Sequence, residues 1–136
     1  MSARFVGAEG AARPIGHYSA AAVVPEARLV FAAGQVALDA SGQVVGPGDM
    51  AAQTRQAYEN LRAVLESVGA RLDTVVKTTT FVTDIKSYHA TASAVRRELF
   101  PKDPPPGTLV EISALSRPEL LVEVEAVALI AEASAR

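Results

Sequence analysis

Two short apolar segments near the N-terminus lie on either side of a break that contains a proline. Residues 18–24 and 28–33 are mostly aliphatic or aromatic, and Pro25-Glu26-Ala27 separates them. Two such runs around a short turn are typical of a β-hairpin. The chain is predicted to continue extended through residues 34–38, and glycine-containing turns follow.

Residues 49–69 have the periodicity of an amphipathic helix. Asp49 is predicted to cap its N-terminus, because a carboxylate can accept hydrogen bonds from the free backbone amides of the first turn. Gly69 lies where a left-handed residue commonly ends a helix. Off the apolar face, Glu59 and Arg62 are close enough to pair. The apolar stripe consists of Ala57, Leu61, Val64, Leu65 and Val68.

The second half of the chain predicts a strand, a helix and two further strands. Residues 75–83 are dominated by Val and Thr, whose β-branched side chains favour strands. A second helix is predicted from Ser87, its expected N-cap. It must end before the prolines at 104–106, because proline lacks the amide donor and clashes with the preceding turn. The closing strands are predicted at residues 108–115 and 120–130.

The predicted order β-β-α-β-α-β-β indicates the α+β class, with one mixed sheet and two helices on one of its faces. The other face then has no cover. The strands nevertheless carry apolar residues in both phases, with Val110 and Ile112 on one side and Leu109 and Leu115 on the other. Such strands are normally buried on both faces. We therefore expect self-association through the uncovered face; the alternative is a monomer whose strands are rich in alanine.

Composition and charge narrow the classes of protein and partner. The apolar content of 49% suits one domain over residues 1–136. The 13 Lys and Arg residues against 15 Asp and Glu leave a net charge of −2, which argues against a nucleic-acid-binding protein. Without cysteine, and with His17 and His89 as the only histidines, we expect no metal and no cofactor. We also expect no membrane association and a cytoplasmic location, because neither a signal-peptide pattern nor a long apolar run is present.

The last strand places two acidic residues among large aliphatic side chains. Strand alternation puts Glu123 and Glu125 on one face with Leu121, Val127 and Leu129. A carboxylate at the mouth of an apolar cleft has a raised pKa and can exchange protons near neutral pH. The alternative is that this end of the strand is simply solvated.

Other candidate groups lie in the first hairpin and in the Thr-rich strand. His17 and Tyr18 can bind an anion or relay a proton, although such a pair is more often found on the surface or in packing. Lys77 is either a desolvated amine or a side chain that extends to the edge of the sheet. Gly42, Gly46 and Gly48 lack the Lys-Ser/Thr of a phosphate-binding loop and indicate turns.

Six segments follow one another in an order and spacing typical of one known family. They are PIGHYS at 14–19, AGQVALD at 33–39, TRQA at 54–57, ENL at 59–61, VVKTT and FVTD within 75–84, and VEVEA at 122–126. Together they resemble the Rid family, also called the YjgF or L-PSP endoribonuclease family, over about residues 14–130. The resemblance implies a chorismate-mutase-like subunit, a homotrimer with a central β-barrel, and three clefts between neighbouring subunits.

The resemblance also implies an activity and the residues that perform it. In the best-known branch of the family, the cleft binds a 2-imino or 2-enamino acid and hydrolyses it to the 2-oxo acid and ammonia. A cleft arginine fixes the substrate carboxylate, and its position corresponds to Gly107 here. Tyr18, Gly34 and Glu123 match the family, and Glu123 corresponds to the carboxylate that positions or activates water. Glu123 and Tyr18 are therefore the expected catalytic residues.

Three positions, His17, Ala33 and Gly107, depart from the family's usual residues. Ala33 replaces a small polar residue, and His17 replaces a proline. Since Gly107 cannot make the arginine's bidentate contact, we expect Gly107, Thr108 and Leu109 to form a reshaped anchor for a different small metabolite. With His17, Ala33 and Gly34, these are the expected substrate-binding residues.

Several classes of function stay open at this point. The first is a deaminase or related hydrolase that acts on a reactive imine, enamine or acylated amine. The second is a non-catalytic, small-ligand-binding or chaperone-like trimer, which the missing arginine favours. Proton transfer such as tautomerisation needs only Glu123 and is a further alternative. A ribonuclease or translation inhibitor is disfavoured by the acidic balance of the chain.

Overall fold

Six strands form one mixed sheet in the computed structural model, which describes residues 3–7, 9–10, 13–14 and 16–131. The strands are β1 (Arg4–Val6), β2 (Ala21–Val24), β3 (Leu29–Val36), β4 (Val75–Val82), β5 (Gly107–Glu111) and β6 (Val122–Leu129). Their order across the sheet is β1-β2-β3-β6-β4-β5, and all neighbours are antiparallel except β4 and β5. The predicted α+β class and single mixed sheet are confirmed.

Helix α1 (Met50–Ser67) covers one face of the sheet. Asp49 accepts a hydrogen bond from the Ala52 amide at 3.0 Å, which confirms the predicted N-cap. Gly69 has a φ of +89°, the left-handed conformation expected after the helix. The predicted stripe is buried against the sheet apart from Val68, which is half-buried. The Glu59–Arg62 pair also forms, with 3.6 Å between its charged atoms.

The second helical region has three parts: α2 (Ile85–Ser87), a π-helical stretch (Tyr88–Ala92) and α3 (Ser93–Leu99). The prediction of Ser87 as the N-cap is wrong. Asp84 caps this region by accepting from the Ser87 amide at 3.0 Å, and Ser87 itself has helical dihedral angles. An aspartate carboxylate at this position reaches the first-turn amides, so the N-cap lies three residues earlier than predicted.

Two strands differ from the prediction. Strand β1 was not predicted, because three residues that are exposed or half-buried give no alternation signal. Strand β5 ends at Glu111 rather than at residue 115. Among the described strands β5 pairs with β4 alone, and β4 ends at Val82. After the bond from the Ile112 amide to the Val82 carbonyl (2.8 Å), β5 therefore has no further strand partner in the described part of the chain.

The two faces of the sheet differ in burial. On β6 the even-numbered residues from Val122 to Ala128 are buried under the helices, while Glu123, Glu125, Val127 and Leu129 lie on the other face, as predicted. We call that second face the open face. Strand pairing places several exposed apolar side chains on it: Phe5, Phe31, Val110 and Leu129.

Candidate active site

Glu123 lies against Gly34 at an irregularity in the sheet. The register between β3 and β6 shifts between Ala32 and Gln35, and Gly34 lies inside that shift. A Cβ added to Gly34 would be 2.5 Å from Oε1 of Glu123 and 2.8 Å from its Cδ. Because real Cβ atoms do not approach other atoms so closely, only glycine allows the carboxylate to occupy this position.

The Glu123 carboxyl is half-buried, and its pKa is raised above the usual value. Burial is the larger cause, and the negative charge of Glu125 is the second. Among the residues that the structure describes, no group donates a hydrogen bond to this carboxylate, so none of them offsets its partial desolvation. A carboxyl in this environment is suited to taking up and releasing a proton.

A small cavity of about 50 Å³ borders this carboxylate. We call it the Glu123 cavity, and its lining residues are Arg13, Pro14, Tyr18, Ala20, Gly34, Gln35, Val36, Leu38, Asn60, Ser116 and Glu123. The three residues that matched the family, Tyr18, Gly34 and Glu123, are therefore brought together. Tyr18 is 52% exposed, so its phenol is accessible at the edge of the cavity.

His17 and Ala33 do not line the Glu123 cavity. They border a neighbouring open groove of about 680 Å³, together with Phe5 and Phe31 of the open face. Tyr18 lines both spaces and lies between them. Within one chain, the structure thus separates His17 and Ala33 from Glu123 while keeping them adjacent to Tyr18.

Gly107, Thr108 and Leu109 line a third cavity, of about 410 Å³, at the other side of β4. Val110, not Gly107, is level with Glu123 across the sheet, since both pair with Phe81. With strands about 4.8 Å apart and residues about 3.3 Å apart along a strand, Gly107 is displaced from Glu123 in both directions. One chain therefore does not bring the expected anchor residues and the expected catalytic residue into one cavity.

Sequence reasoning missed Arg96, which lines the cavity beside Gly107. We call this space the Arg96 cavity; its lining residues are Thr78, Thr80, Tyr88, His89, Ser93, Arg96, Pro104, Pro105, Gly107, Thr108 and Leu109. A Cβ on Gly107 would be 3.0 Å from Nη2 of Arg96. Nothing in the local pattern distinguishes Arg96 from Arg97, and the nearest signal was Gly107, at the position where the resemblance implied an arginine.

Two buried amides on α1 were also missed. The Asn60 amide donates to the carbonyls of Val36 and Leu38, at 2.8 Å each, and so fixes the chain where it leaves β3. Gln53 donates to the Glu119 carbonyl at 2.9 Å and accepts from the Leu121 amide at 2.9 Å, which fixes the chain where it enters β6. Their seven-residue spacing on the apolar face of the helix is the signal that would have found them.

Lys77 extends toward the edge strand, as the second of its two interpretations predicted. Its amine donates to the Thr78 carbonyl at 2.9 Å and to the hydroxyls of Thr79 and Thr108, at 3.3 and 3.1 Å. In the described part of the chain, no three His, Cys, Asp or Glu side chains are grouped as metal ligands would be. No helix in the described residues is long and apolar enough to cross a membrane.

The fold and the site define a class: an α+β domain in which a glycine bulge holds an acidic residue on the open face of a helix-covered sheet. Residues 9–130 match the family model described as Endoribonuclease L-PSP. A RutC family protein of Pyrococcus abyssi is 36% identical over 128 residues, which are 94% of this chain and 98% of that protein. The chain therefore belongs to the Rid (YjgF, L-PSP endoribonuclease) family, as its six segments indicated.

Solved structures agree with this assignment. The yeast protein YEO7 superposes with a TM-score of 0.88 at 29% identity, over 96% of this chain and all of that chain. YyfA of Yersinia pestis, described as a member of the conserved Rid protein family, gives a TM-score of 0.84 at 32% identity, over 95% of this chain and all of that chain. The fold is thus the family's fold over nearly its whole length.

Proposed function

We propose that this protein is a deaminase, or a related hydrolase, that acts on small imine or enamine metabolites with Glu123 as general acid and base. The observation that carries the proposal is the Glu123 carboxyl itself, which is half-buried, without a hydrogen-bond donor among the described residues, and open to the same cavity as Tyr18. A raised pKa brings such a group closer to neutral pH, where proton transfer is most effective.

The proposed reaction moves a proton three times through Glu123. Glu123 takes a proton from water as its oxygen adds to the carbon of the protonated imine, which forms a carbon–oxygen bond and a carbinolamine. It then gives that proton to the nitrogen. Finally it takes the hydroxyl proton as the carbon–nitrogen bond breaks, so that the carbonyl product forms, and this last proton leaves with the ammonia as ammonium. The phenol of Tyr18 donates a hydrogen bond to the substrate in this scheme. No oxidant or reductant is required.

The proposal includes assembly through the open face. Phe5 is 70% exposed, Phe31 46% and Leu129 45%, and all three lie on this face of the sheet. Exposed apolar surface of this kind marks an interaction site in a protein that is otherwise well packed. Assembly as the family's homotrimer would complete the Glu123 cavity, which has room for only a few atoms in one chain, with residues of a neighbouring copy.

The activity is tested by supplying an unstable substrate. A pyridoxal-phosphate-dependent dehydratase generates 2-aminoacrylate or 2-iminobutyrate, and release of the 2-oxo acid is followed with and without this protein. We expect the full chain to accelerate release and Glu123→Gln to lose the acceleration. Glu66→Gln, an exposed position on α1, is the matched control and retains it. If neither imino acids nor imines without a carboxylate are hydrolysed faster, the proposal is wrong.

One observation favours a second candidate, a non-catalytic trimer that binds small ligands. Position 107 is glycine, whereas the resemblance implies an arginine there that anchors the substrate carboxylate of the deaminases. This candidate predicts that 2-oxo acids or similar metabolites raise the melting temperature without any turnover of the corresponding imines. It also predicts that Glu123→Gln leaves ligand binding unchanged.

A further inference from the structure

The guanidinium of Arg96 is fixed by four neighbours at one end of the Arg96 cavity. Its Nη1 donates to the Tyr58 hydroxyl at 3.1 Å and to Thr78 Oγ1 at 2.8 Å. Its Nη2 donates to the Pro105 carbonyl at 2.7 Å, and the ring of Phe100 lies 5.2 Å from its Cζ. The group is therefore held in one orientation before any ligand arrives, which lowers the entropic cost of binding.

This cation has no counter-ion among the residues that the structure describes. All three of its acceptors are neutral, and Glu98, two residues along the helix, pairs with Arg55 at 2.6 Å instead. A half-buried charge without an opposite charge is costly, and an anion entering the cavity would offset that cost. Three of the five N–H groups of a guanidinium are used, so donors are left for a ligand.

Gly107 provides the room for this arrangement. A Cβ at that position would lie 3.0 Å from Nη2 and 3.3 Å from Cζ of Arg96, and 2.8 Å from Thr78 Oγ1. Any side chain there would press against the guanidinium or displace it. The glycine and the arginine therefore depend on each other, although one begins β5 and the other lies on α3.

The rest of the cavity indicates the kind of anion. Its volume of about 410 Å³ is in the range of small-molecule sites. Ser93 and His89 give it polar groups, while Leu109 and Pro104 give it an apolar wall. A planar guanidinium matches a carboxylate best, and the apolar wall suits a short aliphatic chain attached to it.

We propose that Arg96 anchors the carboxylate of a small aliphatic acid in this cavity, and that it does so in place of the arginine that the family has at position 107. The inference deepens the proposed function, on which it rests for the statement that the bound acid is the substrate. Because one chain holds Arg96 and Glu123 in separate cavities, it also rests on the proposed trimer, in which the acid would meet the Glu123 of a neighbouring copy. Arg96 then determines the class of substrate. The anchoring arginine comes from helix α3, whereas position 107 lies on strand β5.

The test measures binding without turnover. The full chain is titrated calorimetrically with 2-oxobutyrate and with 2-oxobutyramide, its uncharged amide. We expect the acid to bind more tightly than the amide. Arg96→Gln should lower the affinity for the acid about 10-fold to 100-fold and leave the affinity for the amide unchanged. Arg97→Gln, the exposed neighbour on the same helix, is the matched control and binds the acid normally.

A second variant covers the case in which Arg96→Gln does not fold, since Arg96 also connects Tyr58, Thr78 and Pro105. Gly107→Val keeps the arginine and fills the space beside it, and we expect the same loss of acid binding. If the acid and the amide bind alike, or if the folded Arg96 variant binds the acid normally, Arg96 has only a structural role and the inference is wrong.

The outcomes also separate this inference from the proposed function. If acid binding depends on Arg96 but no imine is hydrolysed, the role of Arg96 as an anchor is supported and the proposed deaminase activity is wrong. If 2-iminobutyrate is hydrolysed and its KM does not rise in the Arg96→Gln variant, the deaminase activity is supported and the role of Arg96 as an anchor is wrong.

Discussion

The carboxylate of Glu123 occupies the space that a side chain on Gly34 would fill, with only 2.5 Å between Glu123 Oε1 and the position of that Cβ. Gly34 does not have a positive φ, so the requirement for glycine comes from this contact and not from backbone conformation. The irregular register of β3 thus serves to bring the backbone against the carboxylate.

Gly34→Ala should therefore move the Glu123 carboxylate. Because the atoms in the way belong to the end of a half-buried glutamate side chain that can rotate, we expect the free energy of unfolding to fall by under about 1 kcal/mol and imine hydrolysis to fall at least tenfold. Gly7→Ala is the control, because Gly7 has no atom within 4 Å of its Cβ position and no positive φ. Urea unfolding and the coupled dehydratase assay measure the two effects; unchanged activity would contradict the assigned position of the carboxylate.

Glu123→Gln should increase stability at neutral pH while removing activity. The pKa of Glu123 is raised in the folded protein, so the folded state binds a proton at this group more tightly than the unfolded state does. The free energy of unfolding is therefore highest at low pH, where Glu123 is protonated, and falls as the pH rises through the folded pKa. Glutamine does not ionise and avoids that loss. We expect Tm at pH 7.5 to rise by about 1–3 °C, with the difference from the wild type gone by about pH 4. A lower Tm for the variant at pH 7.5 would contradict the direction of the shift.

Glu125→Gln should change the pH dependence of the reaction. The charge of Glu125 is the second cause that raises the pKa of Glu123, so its removal lowers that pKa toward the usual value. As the acting form of the base is deprotonated, the acid limb of kcat/KM should shift to lower pH. The shift should shrink in high salt, which screens the interaction. An acid limb that does not move would mean that another group controls it.

Asn60→Ala should loosen the chain where it leaves β3. The change leaves the carbonyls of Val36 and Leu38 without their donor in a buried position, and we expect a loss of about 2–4 kcal/mol. Gln56→Ala is the control, since among the described residues the Gln56 amide donates to the Asn60 side chain and to no backbone group, at 3.0 Å. This change should lower the free energy of unfolding by under about 1 kcal/mol. Denaturant midpoints at constant m-value compare the two variants.

Phe31→Glu should prevent assembly through the open face. A charge placed in an apolar interface is strongly unfavourable. In a free chain Phe31 is 46% exposed, so a glutamate at this position would be solvated. We expect sedimentation to give three times the chain mass of 14.2 kDa for the wild type and the single mass for the variant. A charge change at an exposed position on α1, Glu66→Lys, is the control and should leave the assembly intact. A wild-type monomer would contradict the proposed trimer.

Local chemistry allowed much of the fold to be predicted. The Asp49 cap, the Gly69 terminus and the apolar stripe of α1 depend on residues within a few positions of one another, and all appear in the structure. The alternation that puts Glu123 and Glu125 on the open face is a property of any strand. The family followed from segments in the right order, which need no knowledge of contacts.

The sequence by itself thus determined the main helix, the central strands, the face that carries the acidic residues and the family. Tertiary structure alone decided where β5 stops, because that depends on the end of β4, and which residues Asn60 holds, because they lie more than 20 positions away. It also decided that Arg96 lies beside Gly107, eleven residues apart along the chain. The physical reason is that residue spacing governs interactions within one element, whereas a cavity forms only when separate elements pack together.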